Sequence, residues 1–155
     1  MIYLGSDHRG FELKQKIKEY LKNKQSFSAN KNLSFEDLGD FSPDPSDDYV
    51  DFVAKVAQKV LENEDNKGIL LCGSGVGVDI AANKFDGIRS ALVYDKERAV
   101  QSRQHEDINV LSLPADVLSE DLALEIVGAF LDTEFSEEER HIRRLSKIEE
   151  IEEMN

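Results

Sequence analysis

Short apolar runs alternate along the chain with longer segments in which apolar residues recur every three or four positions. The run Gly68–Cys72 is apolar without interruption, which is typical of a strand buried on both faces of a sheet. The segment 10–22 instead carries Leu13, Ile17 and Leu21 at helical spacing. The same two patterns predict strands at 2–5, 33–38, 68–72, 88–93 and 108–113, and helices at 10–22, 52–60, 78–84, 97–104 and 122–131.

The alternation of strands and helices indicates the fold class. Successive strand–helix–strand units place the strands parallel and the helices on both faces of the sheet. The sequence therefore predicts an α/β, Rossmann-like, three-layer sandwich around a five-stranded parallel sheet, formed by a single domain over residues 1–135. Ligands of such sheets bind beyond the carboxyl ends of the strands, near a switch in strand order. The candidate ligand-binding segments are 5–10, 72–77, 94–96 and 114–116.

Three segments depart from this alternation. Residues 23–32 are polar and predict a surface loop, and residues 40–48 are rich in Pro and Asp and predict turns. Residues 136–155 are highly charged and predict a C-terminal helix. Ser136 is followed three residues later by Glu139, which is the spacing of a capping box. We expect this helix to pack on the domain or on a partner subunit.

Composition narrows the possible functions. The 155 residues have a net charge of −13, which argues against a nucleic acid or an anionic membrane as partner. One Cys and three His exclude an intrachain disulfide and a standard structural zinc site, so we expect no bound metal. No apolar stretch approaches the ~20 residues of a membrane helix. Met1–Gly5 leads directly into a predicted strand without a basic leader, so we expect a cytoplasmic protein.

The most informative segment is the glycine-rich turn after the third predicted strand, Cys72-Gly73-Ser74-Gly75-Val76-Gly77. Glycines let backbone N–H groups approach a ligand, and the N-terminus of the following helix favours negative charge. The same N–H groups would stabilise a Cys72 thiolate. The alternative is a tight strand–helix turn around a small buried cysteine. A dinucleotide fingerprint fits poorly, because the glycines are spaced G-x-G-x-G and not G-x-G-x-x-G.

Two histidine-containing segments are further candidates. Asp7 and His8 lie between two glycines at the end of the first predicted strand, where they can orient hydroxyl groups or a phosphate. The alternative is an Asp N-cap beside an exposed histidine. His105 lies in a polar stretch before the fifth predicted strand. It has the features of an ordinary surface histidine unless the fold brings it near Cys72.

The last candidate is the cluster Arg140-His141-Ile142-Arg143-Arg144. Arg140 and Arg144 lie one helical turn apart, a spacing at which like charges repel. Either they pair with neighbouring glutamates, or they form a phosphate clamp, because guanidinium forks match phosphate oxygens. Such a basic cluster stands out in a strongly acidic chain.

Taken together, these segments resemble the type B ribose-5-phosphate isomerases and their relatives, the galactose-6-phosphate and allose-6-phosphate isomerases. The resemblance implies a five-stranded parallel α/β fold, homodimers or homotetramers with active sites shared between subunits, and no metal or organic cofactor. It spans about residues 1–148 and is carried by the motifs Gly5-Ser-Asp-His8, Gly68-Ile-Leu-Leu-Cys-Gly-Ser-Gly-Val-Gly77, Ile80-Ala-Ala-Asn-Lys84, Gly87-Ile-Arg89, Arg103-Gln-His105, Asn109-Val-Leu111 and Arg140-His141.

The resemblance also implies a role for each candidate residue. Cys72 matches the base that moves a proton between C1 and C2 of the open-chain sugar, and Ser74 matches a hydroxyl group that assists at the same centre. The backbone amides of residues 73–77 would hold the enediolate oxygens. His105 matches the residue that helps to open the furanose ring. His8 matches a substrate-binding position close to the phosphate, and Arg140 and Arg144 match the phosphate-binding arginines. The full set of substrate-binding positions is Asp7, His8, Gly73, Gly75, Val76, Gly77, Glu106, Asp116, Arg140 and Arg144.

The chain departs from the family pattern at three positions. Glu106 stands where the family usually has Asn, Asp116 where many members have a phosphate-binding Arg, and Val50 where the family has Pro. The first two changes put acids near the expected sugar phosphate. Either these side chains point away, or they accept hydrogen bonds from sugar hydroxyls, or Arg9 and Arg143 offset their charge.

The sequence therefore predicts an aldose–ketose isomerase that acts on a phosphorylated sugar, with ribose 5-phosphate and ribulose 5-phosphate as the expected pair. One alternative keeps this chemistry and enlarges the substrate to allose 6-phosphate or galactose 6-phosphate. Another is a non-catalytic protein that binds a sugar phosphate on the same scaffold, although the presence of Cys72 and His105 speaks against it. The glycine spacing and the small size disfavour a dinucleotide-dependent oxidoreductase.

Overall fold

A computed structural model describes residues 1–27 and 34–154 of the chain, in which strands and helices alternate. The strands are β1 (Ile2–Ser6), β2 (Phe35–Asp37), β3 (Lys67–Cys72), β4 (Ser90–Leu92) and β5 (Val110–Pro114). The helices are α1 (Phe11–Phe27), α2 (Tyr49–Leu61), α3 (Val76–Ala82), α4 (Lys96–Glu106), α5 (Glu120–Asp132) and α6 (Glu139–Glu152). All neighbouring strands pair in parallel, so the predicted α/β class with a five-stranded parallel sheet is confirmed.

The strand order β2-β1-β3-β5-β4 fixes where a ligand can bind. After β1 the chain adds β2 on one side, and then β3 on the other side, so the strand order reverses between β1 and β3. The carboxyl ends of parallel strands flank a crevice at such a switch point. The register places Ser6 opposite Leu71 and Cys72 opposite Pro114, so the ends of β1, β3 and β5 meet at one edge of the sheet. We call this the carboxyl edge.

Alternating side chains of the buried strands build two separate cores. Ile69 and Leu71 of β3 face one side, where they belong to a cluster with apolar residues of α1, α4 and α5. Leu70 and Cys72 face the other side and belong to a cluster with α2 and α3. Because both faces of β3 are covered, its sequence is apolar at every position from Ile69 to Cys72.

The first helix is longer than its pattern predicts. The prediction of a surface loop over residues 23–32 is wrong for residues 23–27, which form the last turns of α1. No Gly or Pro interrupts this segment, and Lys24 forms an ion pair with Asp132 of α5 that ties the end of α1 to the domain. Residues 28–32 and Leu33, the predicted start of the second strand, lie outside the described residues. The strand itself begins at Phe35.

Backbone conformation also shifts several of the predicted boundaries. The third helix begins at Val76, two residues before its predicted start, because Gly75 adopts a left-handed conformation with φ of 73° and serves as the N-cap. The fourth helix continues to Glu106, where Asp107 ends it in the left-handed region with φ of 43°. The fifth strand therefore begins at Val110 and not at the predicted residue 108.

A buried lysine fixes the Pro/Asp-rich segment that follows β2. The Nζ atom of Lys14 is fully buried and donates to Asp37 Oδ1 at 2.8 Å and to the carbonyl oxygen of Asp40 at 2.5 Å. Burial lowers the pKa of Lys14. Burial alone would raise the pKa of Asp37, but hydrogen bonds from Lys14 and Lys18 hold it below its usual value. The network anchors the segment 40–48 beside the carboxyl edge.

Candidate active site

Most of the predicted site residues meet at the carboxyl edge. Asp7 and His8 follow β1, residues 72–77 end β3 and begin α3, and Asp116 follows β5. Backbone hydrogen bonds join these segments, because Asp7 N donates to the carbonyl of Leu71 at 3.3 Å and Asp116 N donates to the carbonyl of Gly73 at 3.0 Å. We call Asp7, His8, residues 72–77 and Asp116 the carboxyl-edge cluster.

Within this cluster, Cys72 is buried beneath its own glycine-rich turn. The backbone N–H of Gly75 donates to the Cys72 Sγ atom at 3.2 Å. This geometry requires glycine at position 75, because φ is positive and a Cβ atom would lie 2.4 Å from Leu92 Cδ1. An N–H group aimed at sulfur stabilises the thiolate, which is the form that can accept a proton.

Ser74 is exposed at the tip of the same turn. Its Oγ atom accepts a hydrogen bond from Val76 N at 3.3 Å, so its own O–H remains available to donate to a ligand. The turn continues as bare backbone at Gly77, where a Cβ atom would lie 2.6 Å from the Tyr49 ring. The turn therefore presents N–H groups and one hydroxyl group, with Tyr49 at its border.

On the other side of the crevice, Asp7 is buried and organises the start of α1. Its Oδ1 atom accepts hydrogen bonds from Arg9 N at 3.0 Å and Gly10 N at 2.9 Å. Burial raises the pKa of Asp7 in spite of these bonds. These contacts show Asp7 capping the turn before α1, whereas its role in orienting hydroxyl groups or a phosphate stays a prediction.

His8 is held by the Pro/Asp-rich segment. Its backbone N donates to Asp47 Oδ2 at 2.8 Å, and its Nδ1 atom lies 2.7 Å from Asp47 Oδ1. The hydrogen bond to this carboxylate raises the pKa of His8. His8 is therefore a partly exposed histidine that remains protonated to higher pH than an unpaired one.

Asp116 belongs to the cluster, and its charge is paired. The Arg9 guanidinium donates to both carboxylate oxygens, from Nη2 to Oδ2 and from Nε to Oδ1, the latter at 3.3 Å. Of the explanations considered for an acid at this position, offset by Arg9 is the one that these contacts support.

His105 and Glu106 lie at the opposite edge of the sheet. The 11 residues of α4 span about 16 Å, and the helix leads from the end of β4 back to the start of β5. Arg103 marks this position, because its Nη1 atom donates to the carbonyl of Ile108 at 2.7 Å, just before β5. Within one chain, the structure therefore does not bring His105 together with Cys72, which lies at the carboxyl end of β3.

The N-terminal part of α6 packs against His105. The rings of His105 and His141 are 4.3 Å apart between centroids, and His141 is fully buried. Arg140 and Arg144 lie on the same helix and are exposed, and Arg140 Nε donates to Glu138 at 2.8 Å. We call His105, Glu106, Arg140, His141 and Arg144 the amino-edge cluster.

The capping box predicted for the last helix is wrong. The helix begins at Glu139 with Glu138 as its N-cap, and no side chain caps it. Ser136 instead lies 2.8 Å from His141 Nδ1, and its backbone N donates to the carbonyl of Gln104 at 3.1 Å. The Ser136 hydroxyl group, which the sequence spacing assigns to the helix N-terminus, therefore holds the His141 ring against α4.

Three residues at the carboxyl edge were not predicted from the sequence as site residues. Asp47 holds His8, Arg9 pairs with Asp116, and Tyr49 borders the glycine-rich turn. The only available signal was the proximity of Arg9 to the Asp7-His8 motif. Nothing in the sequence distinguishes Asp47 from the other acids of its segment.

Residues 1–27 and 34–154 contain no group of three or more His, Cys, Asp and Glu side chains arranged to hold a metal ion. None of the helices formed by these residues is long and apolar enough to span a membrane.

Comparison with known proteins agrees with this geometry. A family model described as ribose/galactose isomerase matches residues 2–148. A probable ribose-5-phosphate isomerase B of Mycoplasma pneumoniae is 42% identical over 147 residues, which cover 95% of this chain and 91% of that protein. The crystal structure of ribose-5-phosphate isomerase B from Mycoplasma genitalium with bound ribulose-5-phosphate superposes with a TM-score of 0.91 at 42% identity, covering 99% of this chain and 97% of that one. The Thermotoga maritima ribose 5-phosphate isomerase has a TM-score of 0.87 at 44% identity, with 96% and 97% covered.

Proposed function

The chain belongs to the ribose/galactose isomerase family, and on this premise we propose that it interconverts ribose 5-phosphate and ribulose 5-phosphate. The observation that carries the proposal is the Cys72 thiol, which accepts an N–H hydrogen bond from Gly75 at the switch point of the sheet. A base next to a row of backbone N–H donors suits proton transfer through an oxyanion. The similar Mycoplasma genitalium enzyme holds ribulose-5-phosphate, the proposed product.

The proposed reaction moves one proton along the open-chain sugar. Cys72, as thiolate, takes the proton from C2 of the aldose, and the electron pair of the C–H bond passes to the carbonyl oxygen on C1. The backbone amides of residues 73–77 and the Ser74 hydroxyl then donate to the oxygens of the cis-enediolate. The Cys72 thiol then returns the proton to C1, while the proton of the C2 hydroxyl group passes to the oxygen on C1 and a carbonyl group forms at C2. The ketose is complete, and no electrons leave the substrate. Ring opening precedes these steps and is the role we assign to His105.

We propose that two copies of the chain build each active site. Cys72 and His105 lie at opposite edges of the sheet in one chain, so His105 can serve the same sugar only from a partner subunit. In a two-fold symmetric dimer, the carboxyl-edge cluster of each copy then faces the amino-edge cluster of the other, and two equal sites result. Exposed apolar side chains at the carboxyl edge and on α6 are consistent with such an interface, among them Val76, Ile80, Val117, Ile142 and Ile151.

Phosphate binding is assigned to His8 and, from the partner subunit's amino-edge cluster, to the residues equivalent to Arg140 and Arg144. The protonated form of His8 binds a phosphate dianion most strongly, and guanidinium forks match its oxygens. Sugar phosphates are metabolites of the cell interior, and we propose that the enzyme acts in the cytoplasm.

This role of His8 makes activity depend on pH in a defined direction. Asp47 raises the pKa of His8, so wild-type kcat/KM for ribose 5-phosphate is expected to fall only as pH rises through this raised value. Asp47→Asn removes the charge and lets the pKa of His8 return toward its ordinary value. The alkaline fall of kcat/KM is then expected at lower pH, while the two proteins differ least at acidic pH, where His8 is protonated in both.

A pH–rate profile of both proteins checks this expectation. Asp48→Asn is the matched control, because Asp48 is the neighbouring exposed acid and its side chain makes no capping hydrogen bond to α2. If the pH–rate profiles of wild type and Asp47→Asn were superimposable, the proposal that His8 binds the phosphate would be wrong.

A direct assay tests the proposed function. We expect the purified protein to convert ribose 5-phosphate to ribulose 5-phosphate, with a higher kcat/KM than for allose 6-phosphate or galactose 6-phosphate. A higher kcat/KM for either hexose phosphate would transfer the assignment to that substrate. If the protein bound ribose 5-phosphate but turned over none of the three sugar phosphates, it would be a non-catalytic sugar-phosphate-binding protein.

A further inference from the structure

The ion pair between Arg9 and Asp116 crosses the end of β3 immediately beside Cys72. Arg9 follows β1 and Asp116 follows β5, and β3 lies between these two strands. A Cβ atom on Gly73 would lie 2.6 Å from Arg9 Nε and 2.6 Å from Asp116 Oδ2. The ion pair therefore occupies the space into which a side chain at position 73 would extend. Gly73 is the residue that follows the proposed base, Cys72.

Both ends of the pair are fixed to the backbone of the site. The Arg9 backbone N donates to Asp7 Oδ1 at 3.0 Å, which sets the position from which the side chain extends. The Asp116 backbone N donates to the carbonyl of Gly73 at 3.0 Å. The Asp116 carboxylate therefore holds the guanidinium in one orientation over the glycine-rich turn.

The Arg9 guanidinium has donors left for a ligand. It carries five N–H bonds, and Asp116 takes one from Nε and one from Nη2. Among the described residues, the other three have no hydrogen-bond partner. The Arg9 side chain is 57% exposed although it is anchored, so these donors face solvent at the mouth of the crevice.

Acidic side chains at the carboxyl edge would repel an anionic substrate unless a cation offsets their charge. Asp7, Asp47 and Asp116 place carboxyl groups around the crevice, and the proposed substrate is itself an anion. Asp47 is engaged by His8, and Asp116 by Arg9. Arg9 thus places a permanent positive charge beside the acids of the carboxyl edge, since guanidinium groups stay protonated at all relevant pH values.

We propose that Arg9 binds the phosphate group of the substrate and that Asp116 is its positioning residue. This assignment rests on the proposed isomerase function. A fork that is held by a carboxylate on one side and presents N–H groups on the other matches phosphate oxygens bidentately.

Steady-state kinetics with ribose 5-phosphate, and with inorganic phosphate as competitive inhibitor, test the assignment. Arg9→Ala is expected to raise KM about tenfold or more, as loss of a charged hydrogen bond does, while kcat stays within about twofold. The inhibition constant of inorganic phosphate is expected to rise by a similar factor. Lys59→Ala is the matched control, because it breaks another exposed ion pair, with Glu62, away from the carboxyl edge, and is expected to change neither constant.

The double variant Arg9→Ala/Asp116→Ala separates binding from simple neutralisation. If Arg9 contacts the phosphate, KM and the phosphate inhibition constant stay raised in the double variant. Return of both to wild-type values would overturn the proposal, because Arg9 would then only cancel the charge of Asp116. Unchanged constants in Arg9→Ala would overturn it as well. Turnover of ribose 5-phosphate by the wild-type protein in the same assay tests the isomerase function separately from the role of Arg9. Thermal melting of each variant verifies that it is folded.

Discussion

Replacing Cys72 by alanine is expected to lower kcat for ribose 5-phosphate by about three orders of magnitude, the scale of losing a general base. KM is expected to change little, because the proposed base acts on the proton in the transition state, while other groups are proposed to hold the sugar and its phosphate. Turnover of ribose 5-phosphate and of ribulose 5-phosphate should fall together, since both directions pass through the same enediolate.

Chemical modification provides an independent check of the same role. Cys72 is the only cysteine of the chain, so loss of activity on treatment with iodoacetamide reports on this thiol alone. Substrate should slow the inactivation, because it would cover the crevice above Cys72. Ser74→Ala is the comparison variant and is expected to lose less activity, since the backbone amides still donate to the enediolate. Turnover near the wild-type level in a folded Cys72→Ala protein would end the assignment of Cys72 as the base.

Two inactive variants are expected to restore activity when they share a dimer. If Cys72 of one subunit works with His105 of the other, a hybrid of a Cys72→Ala chain and a His105→Asn chain contains one site with both residues intact. Its turnover of the cyclic aldose should therefore approach about half that of the wild-type dimer, because a two-fold dimer has two sites. Co-expression with two different affinity tags and successive purification on both isolates the hybrid.

The reciprocal hybrid serves as the control. A wild-type chain paired with a chain that carries both substitutions has one defect in each shared site, so it should be inactive. If each site were instead built within one chain, the results would reverse. The reciprocal hybrid would then keep half the activity, and the first hybrid would have none.

His105 was predicted from the sequence as a site residue, whereas Arg9 was not. The motif around His105 predicted its chemical type, but the path of α4 places it about 16 Å along a helix that leads away from the carboxyl edge. In a parallel sheet, a helix that leads into a strand ends at the amino edge, so the predicted order of elements already implies this position for His105. Arg9 was considered only as a compensating charge, and its partner Asp116 lies 107 positions away in the chain.

Helix ends show the same limit on a smaller scale. The spacing of Ser136 and Glu139 predicted a capping box, yet the Ser136 hydroxyl bonds to His141 and the helix begins later. A local motif competes with any tertiary partner that offers a better hydrogen bond. The buried ring of His141 is such a partner, and it packs against His105 of α4.

The sequence by itself determined the strands, the parallel sheet and the glycine-rich turn after β3. These features follow from local periodicity and from the conformational freedom of glycine, which act over a few neighbouring residues. Tertiary structure alone decided that Asp47 holds His8 and that Arg9 and Asp116 cross above Gly73. These pairings depend on strand order and on loop paths, which are set by packing of the whole domain and leave no periodic signal in the chain.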